Sequence, residues 1–133
     1  MLFRSDLIVF AKDPSANQVV KLIGQIKLTI KITNNKDFRA VIQAAWNDFN
    51  NSKLFREGID TIALICGPLS ATDTDDVRAL LRQAEEAKDS SDFLIRVNLN
   101  KFTSNKLRKK FGIFKRCLEL ANNNNISDRK SVV

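Results

Sequence analysis

Three groups of side chains in this sequence have types and spacings that could support chemistry. The first is Gln25 and Lys27, two residues apart within Leu22–Ile32, Leu-Ile-Gly-Gln-Ile-Lys-Leu-Thr-Ile-Lys-Ile. That stretch is too β-branched and too regularly alternating for a helix. As a strand it sends successive side chains to opposite faces. An amide and an ammonium then stand side by side on a face shared with Lys21, Ile23, Thr29 and Lys31. Leu22, Gly24, Ile26, Leu28, Ile30 and Ile32 form the other face, the one expected in a core. A hairpin strand on a solvated sheet face carries the same pattern.

The second group is Asp73, Asp75 and Asp76. Three clustered carboxylates invite a metal, but they fall in the first turn of a predicted helix, where the macrodipole accounts for them. The third is Lys101–Arg116, with seven basic residues and no acidic one. It reads as a phosphate-contacting face or as a solvated helix side. Lys106, Lys109, Lys110 and Lys115 are its candidate contacts. The chain of 133 residues carries a net charge of +7, which favours an anionic partner, nucleic acid first and a membrane surface second. It contains no histidine, so it excludes mechanisms with an imidazole base and zinc sites of the usual kind. Cys66 and Cys117 have no partner at metal-site spacing and read as reduced core residues. No apolar run reaches the length of a membrane helix, and the first residues are not a signal peptide. The expected compartment is the cytoplasm.

The elements that would position these residues follow in order. Leu7–Ala11 reads as a buried strand with Asp6 at its entrance, and Lys12–Asn17 as a turn containing Asp-Pro-Ser. Val19–Ile32 returns antiparallel. Asn35 caps a helix whose apolar stripe is Phe38, Val41, Ile42, Ala45, Trp46 and Phe49. Trp46 could stack on a nucleobase, but its place in this stripe favours the core. Thr61–Cys66 is a second buried strand, parallel to the one before the helix. Thr72 or Thr74 caps the next helix, through about Ala87. Phe93–Leu99 reads as a short edge strand. Ser104 caps a last helix through about Ala121. Residues 1–121 form one α/β domain, a central mixed sheet flanked by helices, and residues 122–133 a loose tail.

An acid at the start of one strand followed by Gln/Glu-x-Lys on the adjacent antiparallel strand resembles the core of the PD-(D/E)xK nuclease fold. The Gln25-x-Lys27 version resembles its Mrr-like branch. Thr29-Ile-Lys-Ile-Thr-Asn-Asn-Lys-Asp-Phe38, Ala45-Trp-Asn-Asp-Phe49, Ile65-Cys-Gly-Pro-Leu-Ser70, the Lys-Phe-Thr-Ser run from Lys101 and Leu120-Ala-Asn122 are similar to the nuclease domains of bacterial antiphage STAND ATPases. The resemblance implies a restriction-endonuclease-like fold without its usual first helix, since only five residues precede Asp6. It implies Mg²⁺ or Mn²⁺ held by Asp6, Gln25 and the carbonyl of Ile26, with Lys27 orienting the attacking water and steadying developing charge. Asp13 is the alternative metal acid, although it suits a turn. The implied partner is double-stranded DNA, cleaved with little sequence preference in antiphage defence. The domain would be linked to a larger ATPase and sensor protein, and homo-oligomers are possible. The chain itself has no Walker A motif. The rival readings are a catalytically inactive nucleic-acid-binding or assembly module of the same fold, and a domain whose basic surface meets an acidic protein.

Overall fold

The computed structural model describes residues 7–131, with side chains described through residue 126. A short hairpin starts the fold. Strand β1 (Leu7–Asp13) pairs antiparallel with β2 (Gln18–Lys27), from Leu7 opposite Gly24 to Asp13 opposite Gln18. Asn17 closes the turn at φ 48°, a left-handed conformation that asparagine tolerates. Helix α1 (Lys36–Phe49) follows, with the Asn35 side chain accepting from the amide of Phe38 at 2.8 Å as its cap. Strand β3 (Thr61–Cys66) then pairs parallel with β2, giving a mixed sheet ordered β1-β2-β3. Helices α2 (Ala71–Glu86), α3 (Ser90–Asn98) and α4 (Asn105–Ser131) complete the chain. The mixed α/β class, the hairpin and the parallel crossover match the sequence reading.

The faces expected for Leu22–Ile32 hold only in part: Gly24 and Ile32 are buried as expected, but around Ile23–Leu28 the core lies on the other side. Ile23 and Gln25 are buried at 1% and 8% exposure, whereas Ile26 is 48% and Leu28 88% exposed. The crossover lays α1 over the Ile23 side, where the Gln25 amide reaches the carbonyl of Val41 at 3.1 Å. The polar group on that face is thereby satisfied, so burying it carries little penalty. On the opposite face Val9, Ile26 and Ile65 remain about half exposed.

Strand β2 also ends at Lys27 rather than Ile32. Beyond that point the chain finds other partners for its peptide groups. The amide of Ile32 donates to Asp73 at 3.1 Å, and its carbonyl accepts from the Lys110 ammonium at 2.8 Å. Ile32, Phe38 and Cys117 form the core beneath, with the Phe38 and Phe114 rings edge to face at 5.3 Å.

Three further expectations are corrected. Phe93–Asn98 lies in helix α3 with Leu99 as its C-cap, not in an edge strand, because Asp89 caps the helix through the amide of Asp92 at 2.8 Å. Its spacing then buries Val97 and sets Phe93 against Phe111 at 5.5 Å. Residues 122–131 are helical rather than loose. Asparagine is a poor helix former, but Gln43 of α1 bonds the side chains of Asn124 and Asn125 at 2.9 and 3.1 Å and holds this turn. Helix α2 is capped by Ser70, ahead of both predicted threonines.

Candidate nucleic-acid and metal site

Gln25 and Lys27 lie on the same face at the carboxyl end of β2, opposite Leu64 and Cys66 of β3. Gln25 is buried beneath α1, and Lys27, two residues on, is exposed. The carbonyl of Lys27 accepts from the amide of Gly67 at 3.1 Å. Asp6, the expected metal acid, lies outside the described residues. Asp13 is described, and it stands at the hairpin turn opposite Gln18, seven residues along β2 from Gln25. At about 3.3 Å per residue that is far beyond the reach of a shared ion. The Ser15 hydroxyl and amide, at 2.7 and 3.0 Å, hold the Asp13 carboxyl below its usual range, as suits a turn aspartate.

Among the described residues no group of three His, Cys, Asp or Glu side chains could hold a metal ion. Gln25 and Ile26 supply neutral oxygens only. With the Asp6 carboxylate the donor set would be all oxygen and singly anionic, the chemistry that a hard divalent cation accepts.

The basic helix α4 is used differently from the reading of its sequence. Lys110 is not a surface residue. Its side chain is 11% exposed, and its ammonium bonds Asp73 at 2.6 Å as well as the Ile32 carbonyl. Burial raises the Asp73 carboxyl, but Lys110, the Ile32 amide and the Ser70 hydroxyl outweigh it and leave the group lowered. Lys106 lies 3.6 Å from Asp76, whose second oxygen is buried without a hydrogen-bond partner. The cluster of Asp73, Asp75 and Asp76 therefore does more than complement a macrodipole. Two of its members face α4 and pair with lysines there. Arg108 bonds Asn100 and Thr103 at 2.9 and 3.3 Å, and Arg116 pairs with Glu119 at 3.7 Å. Of the four candidate contacts, Lys109 and Lys115 remain exposed and in no ion pair among the described residues.

Two features escaped the sequence reading. Asp60, at the entrance of β3, is fully buried in side chain and bonds Arg56 through its amide at 2.8 Å and its guanidinium at 3.0 Å. It also accepts from the Lys21 amide at 3.0 Å, while the Lys21 ammonium reaches the Leu54 carbonyl. Arg56, four residues before Asp60, was the available signal. The second feature is a cleft of about 560 Å³ between the segments leaving β2 and β3, lined by Thr29, Lys31, Asn35, Lys36, Pro68 and Ser70 among others. Lys31 is missed because it reads as one more position of the strand.

No family model, curated protein or solved structure matches the chain. No helix of the described residues is long and apolar enough to cross a membrane.

Proposed function

We propose that this domain binds double-stranded DNA and cleaves it in a reaction dependent on Mg²⁺ or Mn²⁺. The observation that supports this reading is the placement of Gln25 and Lys27 on one face at the carboxyl end of β2, with the ammonium in solvent. The reading needs a carboxylate beside Gln25, and Asp6, one residue before the Leu7–Gly24 pair, is the acid the sequence offers. Asp6, the Gln25 amide oxygen and the Ile26 carbonyl would hold the metal, which would supply a nucleophile at neutral pH and neutralise phosphate charge. Lys27 would orient water and steady the negative charge that develops on phosphate oxygens. The fold would then be restriction-endonuclease-like. By the resemblance of its motifs, the domain would serve as the effector of an antiphage protein that also carries an ATPase and a sensor.

One observation favours the non-catalytic alternative, a nucleic-acid-binding or assembly module. Gln25 is buried and its amide nitrogen is committed to Val41, so its presence is accounted for by the sheet–helix contact alone. Mg²⁺-dependent nicking of plasmid DNA by the parent and by Lys27→Ala, at equal folded concentration, separates the two. Lys27 is exposed at a strand end, so the variant should melt with the parent and bind DNA as well. Its cleavage should fall by on the order of a hundredfold. Equal rates would remove Lys27 from the mechanism. Binding without cleavage by either protein would establish the alternative.

A further inference from the structure

We propose that the cleft beyond the carboxyl ends of β2 and β3 holds the phosphate backbone of the nucleic acid, with Lys31 and Lys36 as its contacts. This rests on the nucleic-acid part of the reading above and does not depend on cleavage.

Topology creates the cleft. Strands β2 and β3 run parallel and end side by side at Lys27 and Cys66. The segments that leave them, one toward α1 and one toward α2, both line the crevice outside the strand ends. Both walls are fixed. A Cβ at Gly67 would stand 2.2 Å from the Leu28 carbonyl oxygen, so the two exit segments touch at a point that admits only glycine. Further along, Asp73 and Lys110 grip both peptide groups of Ile32. A rigid groove loses little freedom when it is occupied.

Charge indicates the occupant. Lys31 and Lys36 are exposed and, among the described residues, neither is in an ion pair. Two carboxylates also line the cleft. Asp73 is already neutralised by Lys110, which leaves Asp37 against two ammoniums. The volume, about 560 Å³, exceeds what a single small anion needs and the cleft is open, as suits a segment of polymer. Lys27 ends β2 two residues before the chain enters the cleft at Thr29, so a backbone held there passes the end of the strand that carries Lys27. On α4, Lys106 and Lys110 face carboxylates of α2, which leaves Lys109 and Lys115 as its exposed, unpaired lysines among the described residues.

The test is fluorescence anisotropy of a labelled DNA duplex across 50–200 mM salt, with the parent, Lys31→Ala/Lys36→Ala and Lys109→Ala/Lys115→Ala. Two lost phosphate contacts lower the salt slope by up to about two, so the parent's loss of affinity over that range should shrink by about tenfold in the cleft variant. The α4 variant should keep the parent's slope. Should the alanine pair fail to fold, Lys31→Gln/Lys36→Gln keeps the side-chain stems and removes only charge. A slope lowered by the α4 pair and unmoved by the cleft pair would overturn the proposal while leaving nucleic-acid binding intact. No binding by the parent would overturn the nucleic-acid reading and this proposal with it.

Discussion

The α2–α4 seam and the cleft at the strand ends each carry lysines beside aspartates, and they use them in opposite ways. In the seam, Lys110 lies 2.6 Å from Asp73 with both side chains about nine-tenths buried, and the same ammonium fixes the Ile32 carbonyl. In the cleft, Lys31 and Lys36 stand in solvent, and among the described residues no carboxylate pairs with either. The difference shows that density of charge along the chain is a poor guide to which cations are available. What decides is which carboxylates the topology sets opposite them. Helix α2 brings Asp73 and Asp76 against the most basic helix and consumes two of its lysines.

Removing Lys110 should give the largest effect. Lys110→Ala leaves the Asp73 carboxylate buried without its cation and frees the Ile32 carbonyl. Breaking a buried pair in this way costs about 3–5 kcal/mol. Lys109→Ala, one position along the same helix but exposed, should stay within about 0.5 kcal/mol of the parent. Urea unfolding of the two variants checks the contrast, and similar midpoints would mean that the seam is not the structural element described.

Acid should act on the seam and on the Asp60 clasp together. The Arg56 guanidinium bonded to Asp60 holds that carboxyl far below its usual range, against the opposing effect of burial. Asp73 is also lowered. Both groups bind protons less readily in the folded chain than in the unfolded one. Their stabilisation is therefore complete above the unfolded carboxylate value, near 4, and is lost as pH falls through the folded values below it. Urea midpoints measured from pH 7 down to pH 3 should drop at the acid end. Asp60→Asn should start less stable at pH 7 and fall less steeply below about pH 4. An acid limb unchanged in Asp60→Asn would place the titrating groups elsewhere.

Elements with local signals were legible in the sequence. The pairing of β1 with β2, the helix over the stripe from Phe38 to Phe49 and the Asn35 cap sit where their residues indicate, although β1, read as a buried strand, leaves Ile8, Val9 and Phe10 exposed. The errors arose where a distant partner decides. Nothing within Leu22–Ile32 says which face α1 will cover, nor that Asp73 and Lys110 will take the peptide groups of Ile32 and end the strand at Lys27. The run of asparagines after Ala121 reads as a helix stop until Gln43 is placed across from it. Of the candidate site, the shared face of Gln25 and Lys27 follows from alternation alone. The burial of Lys110 does not, because its cause lies 37 residues earlier, at Asp73.

The smallest expected effect is the one that sharpens the comparison most. Lys36 is the first residue of α1, at the positive end of the helix macrodipole. A cation there is opposed by a few tenths of a kcal/mol, up to about 1 kcal/mol. In the free protein no described partner offsets that repulsion, so Lys36→Ala should leave thermal stability unchanged or raise it by about 0.3 kcal/mol. Lys31→Ala removes an exposed side chain outside any helix or strand and should fall within about 0.5 kcal/mol of the parent. An ammonium placed where the macrodipole opposes it, and without a described partner, is free to meet an anionic one. Differential scanning calorimetry of the two variants measures this directly. If Lys36→Ala instead lost more than about 1 kcal/mol, the ammonium would be holding structure as Lys110 does, and the distinction between seam and cleft would fail at that residue.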